Sequence, residues 1–119
     1  MLSTGIDLIE VHRIESAIAR YGQRFLTRVF TAHELQHCGG QVYQLAARFA
    51  AKEAVSKALG TGMNSLAWRD IEIRADAHGK PIVHLSGRAA QRATQLNLRH
   101  FALSLSHTRE HAIALVVAE

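Results

Sequence analysis

The chain has 119 residues, 48% of them hydrophobic, which is enough for one packed core and indicates a single domain spanning residues 1–119. Its formal charge of +4 favours an acidic partner, such as nucleic acid, a phosphate-rich small molecule or an acidic protein. Cys38 is the only cysteine, which excludes an internal disulfide framework and a cysteine-based zinc cluster and fits a reduced, cytoplasmic setting.

No stretch approaches the roughly 18 apolar residues of a membrane span, and "MLSTGIDLIEV" lacks the basic lead and cleavage site of a signal peptide. A soluble chain is expected. "LSTGIDLIEV" alternates as a strand. From Glu15 to Val29 the spacing of Ile14, Ile18, Tyr21, Phe25 and Val29 predicts a helix, kinked or divided at Gly22. "FTAHELQHC" reads as a short helix with Thr31 as N-cap and Glu34 completing a capping box, stopped by Gly39-Gly40. A long helix is predicted from about Gln41 to Leu59. "WRDIEIRA" and "IVHLS" follow as strands around the turn "DAHGKP". Gly87 to Leu96 forms a further helix, and "FALSLSH" and "HAIALVVAE" form a hairpin through "TRE". The class is α+β with a mainly antiparallel sheet.

At about 100° per residue, the long helix places Ala47, Ala51, Ala54, Val55 and Ala58 on one side. Arg48, Lys52, Glu53, Ser56 and Lys57 occupy the other half. The simplest reading is a solvated face with a Glu53–Lys57 pair worth ~0.3–0.5 kcal/mol. Leu45 and Phe49 fall inside that polar arc, however, so a ligand, another subunit or both are expected to cover it.

Asp7 is a carboxylate among strand-like apolar residues: either its acid reaches solvent at a strand end, or it pairs with a helical carboxylate to hold Mg²⁺. His107 in "SLSHT" reads alone as a turn residue, and Gly60-Thr61-Gly62 as an ordinary helix C-cap. His33-Glu34-Leu35-Gln36-His37 matches H-E-x-x-H, but the helix ends at once and no third ligand follows at a recognisable spacing, so a zinc hydrolase is rejected. Arg13, Arg20, Arg24 and Arg28 align beside the Ile18/Tyr21/Phe25 stripe. That edge is either a solvated one or a docking surface for an acidic helical protein. Nucleic acid is disfavoured, since basic and aromatic residues do not interleave as in a recognised binding module.

Together, "GIDLIEVHRI", "FTAHEL", "RFAAKEAVSKALGTG", "DIEI", "GKP" and "SLSHT", in this order, resemble the holo-[acyl-carrier-protein] synthase family of 4′-phosphopantetheinyl transferases. The long-helix motif is the specific one. The resemblance implies a phosphopantetheinyl transferase-like fold and transfer of the 4′-phosphopantetheine arm of coenzyme A to a serine of apo acyl carrier protein. Adenosine 3′,5′-bisphosphate would be released, in support of fatty acid biosynthesis.

By the same resemblance, Asp7 and Glu53 match magnesium ligands and Lys57 the lysine near the pyrophosphate. Arg48, His107 and Thr108 match coenzyme A contacts, with Gly60, Gly62, Gly79, Lys80 and Pro81 in turns near the nucleotide. Arg13, Arg24, Phe25 and Arg28 match the carrier-docking helix. Family members of this length form trimers with the site between subunits. The competing reading is a non-catalytic module that binds coenzyme A or an acidic protein, against which the Asp7 and Glu53 pair argues.

Overall fold

A computed structural model describes residues 1–119. Strand β1 (Ser3–Glu10) leads into α1 (Val11–Tyr21), α2 (Gln23–Val29) and α3 (Ala32–Cys38). The central helix α4 (Val42–Ala58) follows. After it come β2 (Ile71–Ala75), β3 (Pro81–Leu85), α5 (Gly87–Gln95), β4 (Phe101–His107) and β5 (His111–Ala118). The strands form two antiparallel sheets, β1-β5-β4 and β2-β3, so the α+β expectation holds.

Local chemistry explains the boundaries. Helix α1 starts at Val11, earlier than its periodicity indicates, because the chain turns directly out of β1 and Val11 N–H donates to Glu110 O at 2.8 Å. Gly22, at φ 56° and ψ −132°, divides α1 from α2. Arg13 and Arg20 therefore lie on a different helix from Arg24 and Arg28. Thr31 and Glu34 form the expected capping box of α3. Trp68–Asp70 is a short 3₁₀ turn, so the following strand begins only at Ile71.

Helix α4 lies across the inner face of β1-β5-β4. Every inward position of β5 is small or β-branched, with Ala112, Ala114, Val116 and Ala118 fully buried, and α4 answers with Ala50, Ala51 and Ala54. Such surfaces permit a close approach. Period-two alternation turns Ser3, Gly5, Asp7 and Ile9 toward the helix. At Gly5 the approach reaches backbone: a Cβ there would lie 1.8 Å from Ala54 O. Ser3 Oγ donates to Ala58 O at 2.5 Å one helical turn further on. Strand and helix are thereby held in one register.

The polar half of α4 is not the solvated face that the wheel suggests. Arg48, Lys52 and Ser56 are buried, and Lys57 turns to β1 rather than to Glu53. Leu45 belongs to the core, and Phe49 stacks on Trp68 at 4.7 Å beside Phe25 at 6.4 Å between ring centroids. Their cover is intramolecular, so they give no sign of a subunit contact.

Lys52 is fully buried against Glu34 of α3, with Nζ 2.8 Å from Oε1, and also donates to Trp68 O and Ile71 O. Glu34 accepts in turn from Thr31 N–H at 2.9 Å and Ile73 N–H at 2.8 Å. Burial pushes the Lys52 ammonium below the ordinary lysine range, and Glu34 opposes that shift. This network joins α3, α4 and β2. It also takes Glu34 inward, away from any shared ligand site with the stacked rings of His33 and His37.

Replacing Gly5 by Ala should lower folding stability by about 2–3 kcal/mol, because the clash is with helix backbone rather than a yielding side chain. Guanidinium denaturation checks this. A change within about 0.5 kcal/mol, the usual size for an unconstrained surface substitution, would show that strand and helix do not meet so closely.

Candidate active site

The register set at Gly5 carries Asp7 to the middle part of α4. Lys57 Nζ lies 3.2 Å from Asp7 Oδ1 and 2.8 Å from Ile6 O. Glu53 stands one helical turn before Lys57, half-buried. Burial raises its carboxyl above the ordinary range, the negative charge of Asp7 raises it further, and Lys57 pulls it back. Two carboxylates from two elements thus lie near enough for the charge of Asp7 to act on Glu53, while Lys57 pairs with Asp7.

These residues fit a magnesium ion. No cluster of three or more His, Cys, Asp or Glu is formed, and a pair of carboxylates is the protein share of a site where Mg²⁺ keeps waters and takes phosphate oxygens. The mutual repulsion felt by Glu53 is what a divalent cation would relieve.

A second cluster occupies the N-terminal half of α4. A cavity of about 470 Å³ lies between α4, the β2-β3 hairpin and the end of β4. Arg48, Arg74, His37 and His107 line it with Gly79 and Pro81, and no carboxylate does. Arg74 is neutralised by Glu72, Nε to Oε1 at 2.5 Å. Arg48 is different. It is 8% exposed, it has no carboxylate partner, and its Nε has no hydrogen-bond acceptor at all. Its one bond is from Nη1 to Gln44 O at 3.4 Å. A guanidinium that lines a cavity without a carboxylate of its own can hold an anion there.

The structure therefore brings the sequence-predicted residues together as two groups. Arg48, Gly79, Pro81 and His107 share the cavity, whereas Asp7, Glu53 and Lys57 do not line it. Lys80 is exposed at the hairpin turn, its N–H bound to Asp76 Oδ1 at 2.9 Å. Thr108 caps the β4-β5 turn, its hydroxyl accepting from Glu110 N–H and His111 N–H. Backbone N–H groups of Gly60 and Gly62 are engaged with Lys57 O and Ser56 O, closing the end of α4.

Arg24, Phe25 and Arg28 line a separate hollow of about 440 Å³ with Tyr21, and Arg13 stands apart, exposed on α1. Sequence reading missed Gly5, the Glu34–Lys52 pair, Arg74 and Tyr43. Only Gly5 had a usable signal, a glycine inside a strand pattern, which marks a close backbone approach.

Residues 3–116 match the family model of the 4′-phosphopantetheinyl transferase superfamily. The chain is 50% identical to a holo-[acyl-carrier-protein] synthase of Herpetosiphon aurantiacus, over 98% of either chain. Its fold matches the Helicobacter pylori holo-[acyl-carrier-protein] synthase in complex with coenzyme A with a TM-score of 0.90 at 33% identity, covering 98% of this chain and 99% of that one. A Bacillus anthracis holo-(acyl-carrier-protein) synthase in complex with CoA (3′,5′-ADP) gives 0.79 at 38% identity, with 98% and 94% covered. The fold is that of a phosphopantetheinyl transferase. The chain belongs to the holo-[acyl-carrier-protein] synthase family.

The raised Glu53 carboxyl has a consequence for stability. The folded chain holds that proton more tightly than the unfolded chain does, so stability falls as pH rises from the ordinary carboxylate range through the raised value. In buffer with EDTA at neutral pH, Glu53→Gln should melt at a higher temperature than the wild type, and the gap should close as the pH is lowered toward 4. An unchanged or lower melting temperature would show that Glu53 is not strained by its surroundings.

Proposed function

We propose that this chain is a holo-[acyl-carrier-protein] synthase, moving the 4′-phosphopantetheine arm of coenzyme A to a serine of apo acyl carrier protein in support of fatty acid biosynthesis. The single observation that carries the reading is the buried Arg48, without a carboxylate partner and with its Nε unbonded, lining an acid-free cavity. Coenzyme A brings the phosphates that such a cation lacks.

The serine oxygen bonds to the phosphorus that carries the pantetheine arm as the bond to the bridging oxygen breaks, and adenosine 3′,5′-bisphosphate leaves. Arg48, with His107 and the Gly79–Pro81 turn, holds the nucleotide half. Lys57 sits beside Asp7 and offers its ammonium to the charge that gathers on the leaving phosphate. The serine proton needs an acceptor, for which Glu53, with its raised carboxyl, is a candidate this chain supplies. Asp7 and Glu53 would hold Mg²⁺, which when bound neutralises the pyrophosphate and favours in-line displacement.

We place the complete site between two copies of the chain in a homotrimer. Two observations support this. The cavity and the carboxylate pair are separate within one subunit. The outer face of β1-β5-β4 also leaves Ile6 53%, Leu8 62% and Leu115 44% exposed side by side, an apolar surface suited to an interface. The basic hollow at Arg24, Phe25 and Arg28 is where we dock the acidic carrier, with Arg13 on the flank. No helix is long and apolar enough to cross a membrane. Membership of the holo-[acyl-carrier-protein] synthase family supports a cytoplasmic assignment. The one cluster of 26 buried residues supports a single transferase domain over residues 1–119. A pure binding module is not favoured, since binding alone needs no paired carboxylates.

The test is to incubate the chain with apo carrier, coenzyme A and Mg²⁺ and weigh the carrier by mass spectrometry, expecting the added arm. Asp7→Asn or Glu53→Gln should each reduce turnover by about a hundredfold or more with the circular dichroism spectrum kept. The double variant should be little worse than either, because one lost ligand already disables the shared ion. Strong magnesium-dependent turnover in the double variant would contradict the assignment.

A further inference from the structure

Tyr43 has no role in the site as described so far, yet it stands at the rim of the Arg48 cavity. Its ring stacks on that of His107, centroids 4.9 Å apart and planes 29° from parallel. It is 38% exposed, among the large hydrophobic side chains that the fold leaves open. The phenol hydroxyl donates to Gln41 Oε1, and the same oxygen accepts from Gln44 Nε2 at 3.0 Å. An exposed ring in the first turn of a helix ordinarily swings between rotamers. This one is fixed at both ends, by the stack and by the hydroxyl.

The cavity itself is divided in chemistry. Arg48 makes one part cationic, while Tyr43, Leu105, Pro81 and Ala75 make the other apolar. Phosphate would satisfy only the first part. A ligand that fills both carries anionic groups and a flat, weakly polar body, as the nucleotide end of coenzyme A does.

We propose that Tyr43 is a nucleotide-binding residue of this chain, its ring, backed by His107, forming the aromatic platform for the adenine base. This rests on the reading of the cavity as the coenzyme A site and adds to it the group that distinguishes a base-bearing ligand from phosphate alone. The platform selects for a flat base because any base presents a π face, and the immobilised ring loses little freedom when the base arrives. Arg48 anchors the phosphates independently.

The experiment measures binding of two probes to the assembled protein by calorimetry. One is adenosine 3′,5′-bisphosphate. The other is 1-deoxyribose 3,5-bisphosphate, which keeps both phosphates and lacks the base. Tyr43→Ala should weaken the adenosine probe by about tenfold, the usual scale for losing one base-stacking ring, and leave the baseless probe bound as by the wild type. Tyr43→Phe, which keeps the ring, should restore adenosine binding to within about threefold of the wild type. Equal losses for both probes would overturn the proposal and make Tyr43 a buttress for His107. No loss for either would overturn it as well. A wild-type protein that binds neither probe would overturn the coenzyme A reading of the cavity and this assignment with it, a result recognisable because it precedes any substitution.

Discussion

The contact between Gly5 and the Ala54 carbonyl governs the rest of the molecule. A strand can lie this close to a helix only where it has no side chain, and the surrounding alanines of α4 and β5 keep the same short spacing. The closeness costs apolar area, since alanine buries far less than leucine. In return it fixes register. Asp7, two residues beyond Gly5 on the same strand face, reaches Lys57 and raises the carboxyl of its neighbour Glu53, and a slip of one residue would turn Asp7 to the outside.

Two buried cations one turn apart on α4 are satisfied to very different degrees. Lys52 has a carboxylate and two carbonyl oxygens as acceptors, so its desolvation is compensated and it serves to lock α3, α4 and β2 together. Arg48 has one long bond to a carbonyl and an orphaned Nε. Arg48 instead lines an open cavity whose walls hold no carboxylate. Lys52 also holds the start of the β2-β3 hairpin that forms the far wall of that cavity.

Much of this was legible in the sequence, for physical reasons. Alternation and helical spacing gave the order of elements, and the Thr31–Glu34 box gave the start of α3, because these signals are local. The charged half of α4 was misread because a helical wheel knows nothing of what lies across from it. Lys52 looks like any solvated lysine until Glu34, 18 residues earlier, is folded against it. Leu45 and Phe49 were correctly read as covered, but Trp68, Phe25 and the core supply the cover. The motif resemblance supplied the candidate site residues. Their separation into a carboxylate pair and a cationic cavity is a tertiary fact that no spacing reveals.

The central claim is that these two groups complete each other across a subunit boundary, and subunit mixing tests it most directly. Asp7→Asn removes the carboxylate half and Arg48→Ala the cavity half, so each variant alone should be nearly inactive. Co-expressed in equal amounts, they should regain up to about a quarter of wild-type turnover, the fraction of interfaces at which an intact half meets an intact half in a randomly mixed ring. Mixed oligomers that form, as native mass spectrometry would show, yet stay as inactive as their parents would contradict a shared site and place both halves in the service of a single chain.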